Sequence, residues 1–159
     1  VTTEYHLVPE FPDPETYVEL REVAGMASRS LAAAKRGVPN TTFGVSIVLD
    51  EGTDDLDGGD DGDGSNRVVG MGRLVGDGGT VFQIVDVAVR PEHQGQGLGT
   101  RIMDALVDYL DREAPPSAYV NLMADVDGYY ERWGFEPTAP ASKGMFLRVD
   151  DDGVSGREE

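Results

Sequence analysis

An α+β fold in a single domain is predicted from three features of the chain. Strand-like and helix-like stretches succeed one another without internal repeat over 159 residues, a length that suits one hydrophobic core. One stretch, "VFQIVDVAV" (81–89), is apolar on both faces and reads as a strand covered from both sides, hence central to a sheet. It leads through Gly95, Gly97 and Gly99 into an amphipathic helical pattern. Such a strand–glycine loop–helix join is where proteins commonly seat a phosphate group.

The elements follow in order. "EYHLV" (4–8) reads as a short strand, and residues 14–37 hold two helical stretches, broken near Gly25 and closed by Gly37. In "FGVSIVL" (43–49), Phe43, Val45, Ile47 and Leu49 alternate on one face, as in a half-buried strand. "RVVGMGRLV" (67–75) is expected to pair with it in a hairpin whose connection, 51–65, is acidic and glycine-rich. In the central strand, Phe82 and Ile84 oppose Val85, Val87 and Val89 across an irregularity. After the glycine loop, Leu98, Ile102, Ala105, Leu106, Tyr109 and Leu110 share one helical face, with Asp104, Asp108 and Asp111 outside it. Pro115 and Pro116 end that helix. "AYVNLMA" (118–124) reads as a strand, "DVDGYYERWG" (125–134) as a short helix closed by Gly134, and "GMFLRVD" (144–150) as a last strand. The domain is thus expected over 1–149, with a frayed acidic tail over 150–159.

Composition narrows the function classes. Hydrophobic residues make up 39% of the chain, which marks a globular protein, and the absence of cysteine excludes disulfides and thiol catalysis. His6 and His93 stand alone, so no metal site is expected. No apolar run approaches the length needed to cross a bilayer, and no basic segment precedes an apolar one near Val1. A cytoplasmic location without membrane contact is the expectation, and the start at Val1 without Met suggests processing or trimming.

The charge balance is the most unusual number: 30 acidic against 13 basic residues, net −17, with Lys35 and Lys143 the only lysines. Acid spread along the entire chain favours a surface kept hydrated in concentrated salt, as in a halophilic, acidic proteome, over one built for a basic partner. Nucleic acid is excluded as a partner, since binding it requires a basic patch. The acidic connection fails as a calcium loop. From Asp55, Asp57 fits but Gly59 takes the next ligand position; from Asp61, Asp63 fits but Asn66 replaces the glycine.

The glycine loop carries the chemistry. Glycine lets a ligand approach the main chain closely, and the first amides of a helix lack partners within it and carry partial positive charge. Gly95, Gln96, Gly97, Leu98, Gly99 and Thr100 supply such amides, and Arg90 and Arg101 offer side-chain contacts. A tight glycine turn without ligand is the plain alternative. A Rossmann site fits less well, because G-Q-G-L-G is preceded by four expected strands. A Walker loop is excluded by the lack of G-K-[ST].

The spacing Gln94-x-x-Gly97-x-Gly99 after "VAVRPEH" resembles the acyl-CoA-binding segment of the GNAT superfamily of N-acyltransferases. "YYERWGF" (129–135) is similar to that family's aromatic-Tyr-Glu-basic-aromatic-Gly-Phe segment, and the order of elements from about residue 4 to 149 matches. The resemblance implies a mixed, mostly antiparallel sheet of six to seven strands with about four helices, splayed between strands 4 and 5. It further implies acetyl-CoA as co-substrate, with its pantetheine arm on the main chain of Val87, Ala88 and Val89. Its pyrophosphate would lie on the loop from Gln94 to Thr100, beside Arg101. The acceptor would be a primary amine of a small molecule or peptide, and a homodimer is compatible with the family.

Acetyl transfer to an amine needs a neutral amine, a stabilised oxyanion and a proton for the departing thiolate. Tyrosine, with a pKa of about 10, can serve a thiolate whose thiol has one of about 8.5. Family position gives that role to Tyr130, with Tyr129 as its packing neighbour, and a strand amide at Val87 or Ala88 would meet the oxyanion. Two departures stand out. Gln83 occupies a strand position where several relatives carry Glu, which leaves Asp86 as the nearest carboxylate base, unless water relays the proton or the amine arrives neutral. Met123 stands where many relatives carry Asn, with Asn121 and Asp125 close by. His93 is expected to be solvated. A non-catalytic acyl-CoA-binding sensor or scaffold is the alternative from another class.

Overall fold

The computed structural model describes residues 4–50 and 67–154. The acidic connection, with Asp55, Asp57, Asp61 and Asp63, and the last five positions of the tail lie outside the described residues. The chain divides into two compact units, Val1–Leu122 and Met123–Glu159.

The first unit is a five-stranded sheet in sequence order, with β1 (Glu4–Val8), β2 (Phe43–Asp50), β3 (Val68–Gly76), β4 (Val81–Val89) and β5 (Tyr119–Asn121). The first four strands are antiparallel neighbours and β5 joins β4 in parallel, so the sheet is mixed as expected. Helices α1 (Pro14–Val23) and α2 (Leu31–Gly37) connect β1 to β2, and α3 (Leu98–Glu113) connects β4 to β5. The caps explain the boundaries. Asp13 accepts from the Thr16 amide at 2.8 Å and Ser30 from the Ala33 amide at 3.0 Å, each satisfying a donor the helix cannot.

Both faces of the sheet are covered. On one side α3 buries Ile102, Met103 and Leu106 against Val45, Ile47 and Leu74. Close approach depends on glycine there: a Cβ on Gly72 would collide with Ile102, which leaves the β3 backbone as the floor of the groove α3 occupies. On the other side Tyr17, Leu20 and Ala34 pack with Met71 and Ala88. For this reason β2 is not half-buried as its alternation predicts. Gly44 and Ser46, on its second face, are buried too, Gly44 because Phe11 lies over it and Ser46 because its hydroxyl donates to the Glu10 carbonyl.

The irregularity expected in β4 lies at Asp86, where the β3–β4 register jumps from Met71↔Ala88 to Arg73↔Val85. Asp86 takes the extra place with φ +60°, a left-handed conformation that Asp tolerates better than most residues. The bulge changes the facing of the strand. Leu74 pairs with Ile84 and Gly70 with Val89, and Gly72 faces Val87 as well as α3. Val87 and Val89 therefore share the α3 side with Ile84, and only Val85 faces away as first assigned.

β5 is shorter than the strand expected over 118–124. It pairs with β4 at Val81↔Tyr119, Phe82↔Val120 and Gln83↔Asn121 and no further, since a bulge bends and twists its strand away from a neighbour. This is the splay between strands 4 and 5. In the second unit, β6 (Val149–Asp150) pairs with β7 (Gly153–Val154). The predicted strand 144–150 is thus cut to its last two residues, which pair with Gly153–Val154, the one strand partner they have among the described residues of this unit. Those two residues lie in the stretch expected to be a frayed tail. The short helix expected before Gly134 is a 3₁₀ turn, Tyr130–Trp133, closed by Gly134 at φ +95°.

Candidate active site

The segment after β4 is a glycine loop that ends at a helix N-terminus. A 3₁₀ turn, Pro91–His93, leads into Gly95 and Gly97, both at φ +79°, and Gly97 is the N-cap of α3. No side chain caps this helix, in contrast to α1 and α2. A Cβ at Gly95 or Gly97 would meet nothing within 4 Å, so these glycines serve backbone conformation and open approach, not packing. Leu98, buried, pins the first turn to the core.

Polar contacts fix the loop from both ends. Gln94 Nε2 donates to the Val89 carbonyl at 3.0 Å. Gln96 Nε2 donates to Tyr5 Oη at 3.0 Å, and Tyr5 Oη lies 2.8 Å from His93 Nδ1. The Tyr5 hydroxyl thus joins β1 to the loop through both the Gln96 amide and the His93 ring. His93 is therefore half-buried and held by β1, where solvation was expected. Arg101 Nη1 reaches the Tyr5 carbonyl at 3.4 Å and its side chain is exposed beside the loop. Arg90, the other expected phosphate contact, is spent elsewhere: its guanidinium forks onto Glu19 at 2.9 and 3.0 Å and its Nε donates to the Val68 carbonyl at 2.7 Å.

β4 itself offers a free edge. Beyond Gln83, no strand pairs with its β5 side among the described residues. The Arg90 amide donates to Val69 on β3, and peptide groups alternate in direction along a strand. Ala88 therefore directs its N–H and C=O toward β3, while Val87 and Val89 direct theirs toward the open edge. Of the two amides considered for an oxyanion, Val87's is the one that points to the open edge.

Asp86, one residue earlier, is the hub of a buried cluster. Its Oδ1 accepts from Arg21 Nη1 at 2.7 Å and from Tyr17 Oη at 3.4 Å, and its Oδ2 from Arg73 Nε at 2.8 Å. Arg73 also lies over the rings of Phe11 and Tyr17, 5.2 and 5.4 Å from their centroids. Burial, and then the Asp86 charge, push the Tyr17 hydroxyl above its ordinary pKa. The sequence singles out Asp86 as a candidate base, but its partners Tyr17, Arg21 and Arg73 lie at positions that no motif or spacing connects to it.

In the second unit, Tyr130 donates to Asp125 Oδ1 at 3.3 Å and packs edge-on against Tyr129, with ring centroids 5.0 Å apart. Arg132 covers Tyr129 and Trp133 at 4.6 and 5.3 Å. Partial burial, followed by the Asp125 charge, pushes the Tyr130 hydroxyl up to about 12. Met123, which replaces the expected Asn, is exposed and lies against Gly144.

Residues 58–137 match the family model of the GNAT acetyltransferase domain. A crystal structure from meticillin-resistant Staphylococcus aureus, described as a probable acetyltransferase of unknown function, is 39% identical. It superposes with a TM-score of 0.75, over 91% of this chain and 99% of that one. The chain belongs to the GNAT acetyltransferase family.

Two further GNAT structures share the fold at lower identity. YhbS from Escherichia coli, solved in complex with CoA, is 21% identical with a TM-score of 0.57, over 87% of this chain and 72% of its own. A Brucella melitensis acetyltransferase, in complex with acetyl-CoA, is 22% identical with a TM-score of 0.54, over 84% and 83%. No curated protein matched the chain. Within this GNAT protein, the first unit brings together the Val87–Val89 edge, the Gln94–Arg101 loop and Asp86, while Tyr130 belongs to the second unit. No helix among the described residues is long and apolar enough to cross a membrane.

Proposed function

We propose that this GNAT protein transfers the acetyl group of acetyl-CoA to a primary amine by direct attack. The observation that carries the reading is the continuity of an unpaired β4 edge with a glycine loop at an uncapped helix N-terminus. Extended polar groups followed by clustered amides suit a ligand with an amide-bearing arm and a pyrophosphate. Val87 and Val89 hold the arm, and the amides from Gln94 to Thr100, with Arg101, hold the pyrophosphate.

In the transfer, the amine nitrogen forms a bond to the thioester carbonyl carbon and the C–S bond breaks. The Val87 amide meets the carbonyl oxygen as it gains charge. The amine gives up its proton to water, because both oxygens of Asp86 are already bonded to cationic donors; Asp86 holds the bulge in shape. Family position gives the protonation of the departing sulfur to Tyr130. Its hydroxyl turns from Asp125 to release its proton as the C–S bond breaks, CoA leaves as the thiol, and the proton that the amine gave to water restores the tyrosine.

Thiol release from acetyl-CoA over a panel of amines tests the reading. Amine-dependent release with formation of the N-acetyl product is the expected result. Tight acetyl-CoA binding without release on any amine would instead establish a non-catalytic acyl-CoA sensor.

A further inference from the structure

The cluster around Asp86 has one positive charge too many: two guanidiniums, Arg21 and Arg73, face one carboxylate. The imbalance is buried, with side chains 6%, 12% and 5% exposed for Arg21, Arg73 and Asp86, and an uncompensated charge is costly there. It also runs against the rest of a chain whose net charge is −17. Arg29 adds to it, acting electrostatically on the same Tyr17 hydroxyl.

The two guanidiniums are not equivalent. Arg21 is used on every side: Nη1 bonds Asp86, while Nε and Nη2 both donate to the Ala27 carbonyl, at 2.9 and 2.6 Å. Arg73 uses Nε on Asp86 and Nη1 on Thr41 Oγ1 at 3.0 Å. Its Nη2 has no hydrogen-bond partner among the described residues. No fully buried side-chain nitrogen lacks a partner among the described residues, so Nη2 retains some exposure to solvent. A guanidinium clamped by an aspartate, a threonine and two aromatic rings thus presents one rigid, open donor.

We propose that Arg73 Nη2 anchors a carboxylate on the acceptor, which makes the acceptor an amino acid-like amine and not a polycation. The inference rests on the reading above, in which the acetyl group arrives at Val87. Arg73 pairs with Val85 across the strands, two residues from Val87. The guanidinium end of Arg73 lies 2.8 Å from Asp86 Oδ2, the residue next to Val87 in the chain, so an acceptor attacking at Val87 with its acid on Arg73 is of the size of a single amino acid. The incoming carboxylate supplies the missing negative charge. The left-handed Asp86 is the local strain often found at such sites.

The test uses matched pairs: alanine, leucine, phenylalanine and glutamine, each beside its carboxamide, with putrescine as a cationic control. With the wild-type protein, thiol release should favour an acid over its own amide by at least about tenfold in kcat/KM, as suits a charge-assisted hydrogen bond. Arg73→Gln should raise KM for the acid by a similar factor and erase the preference for an acid over its own amide, read as the ratio of their kcat/KM values in the same variant. Arg73→Lys, which keeps the charge without the fork, should recover part of the loss. Equal rates for acid and amide in every pair, or a preference for putrescine, overturns the proposal. If no amine releases thiol, the catalytic reading fails by itself. Calorimetric titration of N-acetyl amino acids and their amides, with CoA present, then decides the anchor: tighter binding of the acids sustains it, and equal or absent binding removes it.

Discussion

At the scale of single residues, the Tyr130 hydroxyl is held neutral by partial burial and by Asp125. Its folded pKa of about 12 lies above the ordinary value of 10.0. The associated stability is therefore fully present below pH 10 and is lost as pH rises through 12. Ultraviolet titration of wild type against Tyr130→Phe should show the missing ionisation near the upper limit, and activity should not fall through this group in the neutral range. Tyr130→Phe should lower kcat by about 10²-fold with little change in acetyl-CoA affinity. Loss of activity in Tyr129→Phe, with Tyr130→Phe unaffected, would move the role to the neighbouring ring. Asp86 makes the opposite case, a carboxylate committed to structure. Asp86→Ala leaves two buried guanidiniums without their anion, and urea unfolding should report a loss of about 3–5 kcal/mol. A variant of native stability without activity would instead restore Asp86 as the base.

At the scale of elements, the β4–loop–α3 unit joins three local devices: a bulge, two left-handed glycines and a helix without a side-chain cap. Val at Gly99 should obstruct the approach of the pyrophosphate and weaken acetyl-CoA binding by at least about tenfold, or 1.4 kcal/mol, measured by calorimetry. Val at Gly97 should do the same and also lower the melting temperature, because φ +79° is strained for a β-branched residue. Unchanged affinity in both variants would take the loop out of the site. Much of this unit was legible in the sequence because its determinants are contiguous. Glycine spacing and an amphipathic period fix the loop and helix, and a break in the apolar pattern of residues 81–89 marks the irregularity. Its side assignment was not legible, since Val87 joins the α3 side only through the register of β3.

At the scale of the whole molecule, the dominant quantity is the net charge of −17. Such a chain repels itself and its anionic co-substrate. Screening reaches about 10 Å at 0.1 M salt and about 3 Å at 1 M. The loop amides act at contact distance, where screening matters least. Melting temperature and acetyl-CoA affinity should therefore both rise between about 0.1 M and 2 M KCl, a span that brackets those screening lengths. Thermal melts and calorimetric titrations across that range check it. A flat midpoint with falling affinity would remove salt adaptation as the reason for the acid and favour a basic macromolecular partner.

The amino-acid sequence by itself determined the order of strands and helices, the glycine loop and the family, because each depends on residues near one another along the chain. A helix cap spans three residues, and a glycine loop sets its own dihedral angles. The tertiary structure alone decided what Asp86 does. Its partners Tyr17 and Arg21 lie 69 and 65 positions away, and the pairing of Tyr5 with His93 spans 88. It also decided that Arg90 serves Glu19 and that Val87, not Ala88, turns its amide to the open edge. Charge pairing and strand direction are set by which surfaces pack together, and packing joins residues whose spacing in the sequence carries no periodic signal.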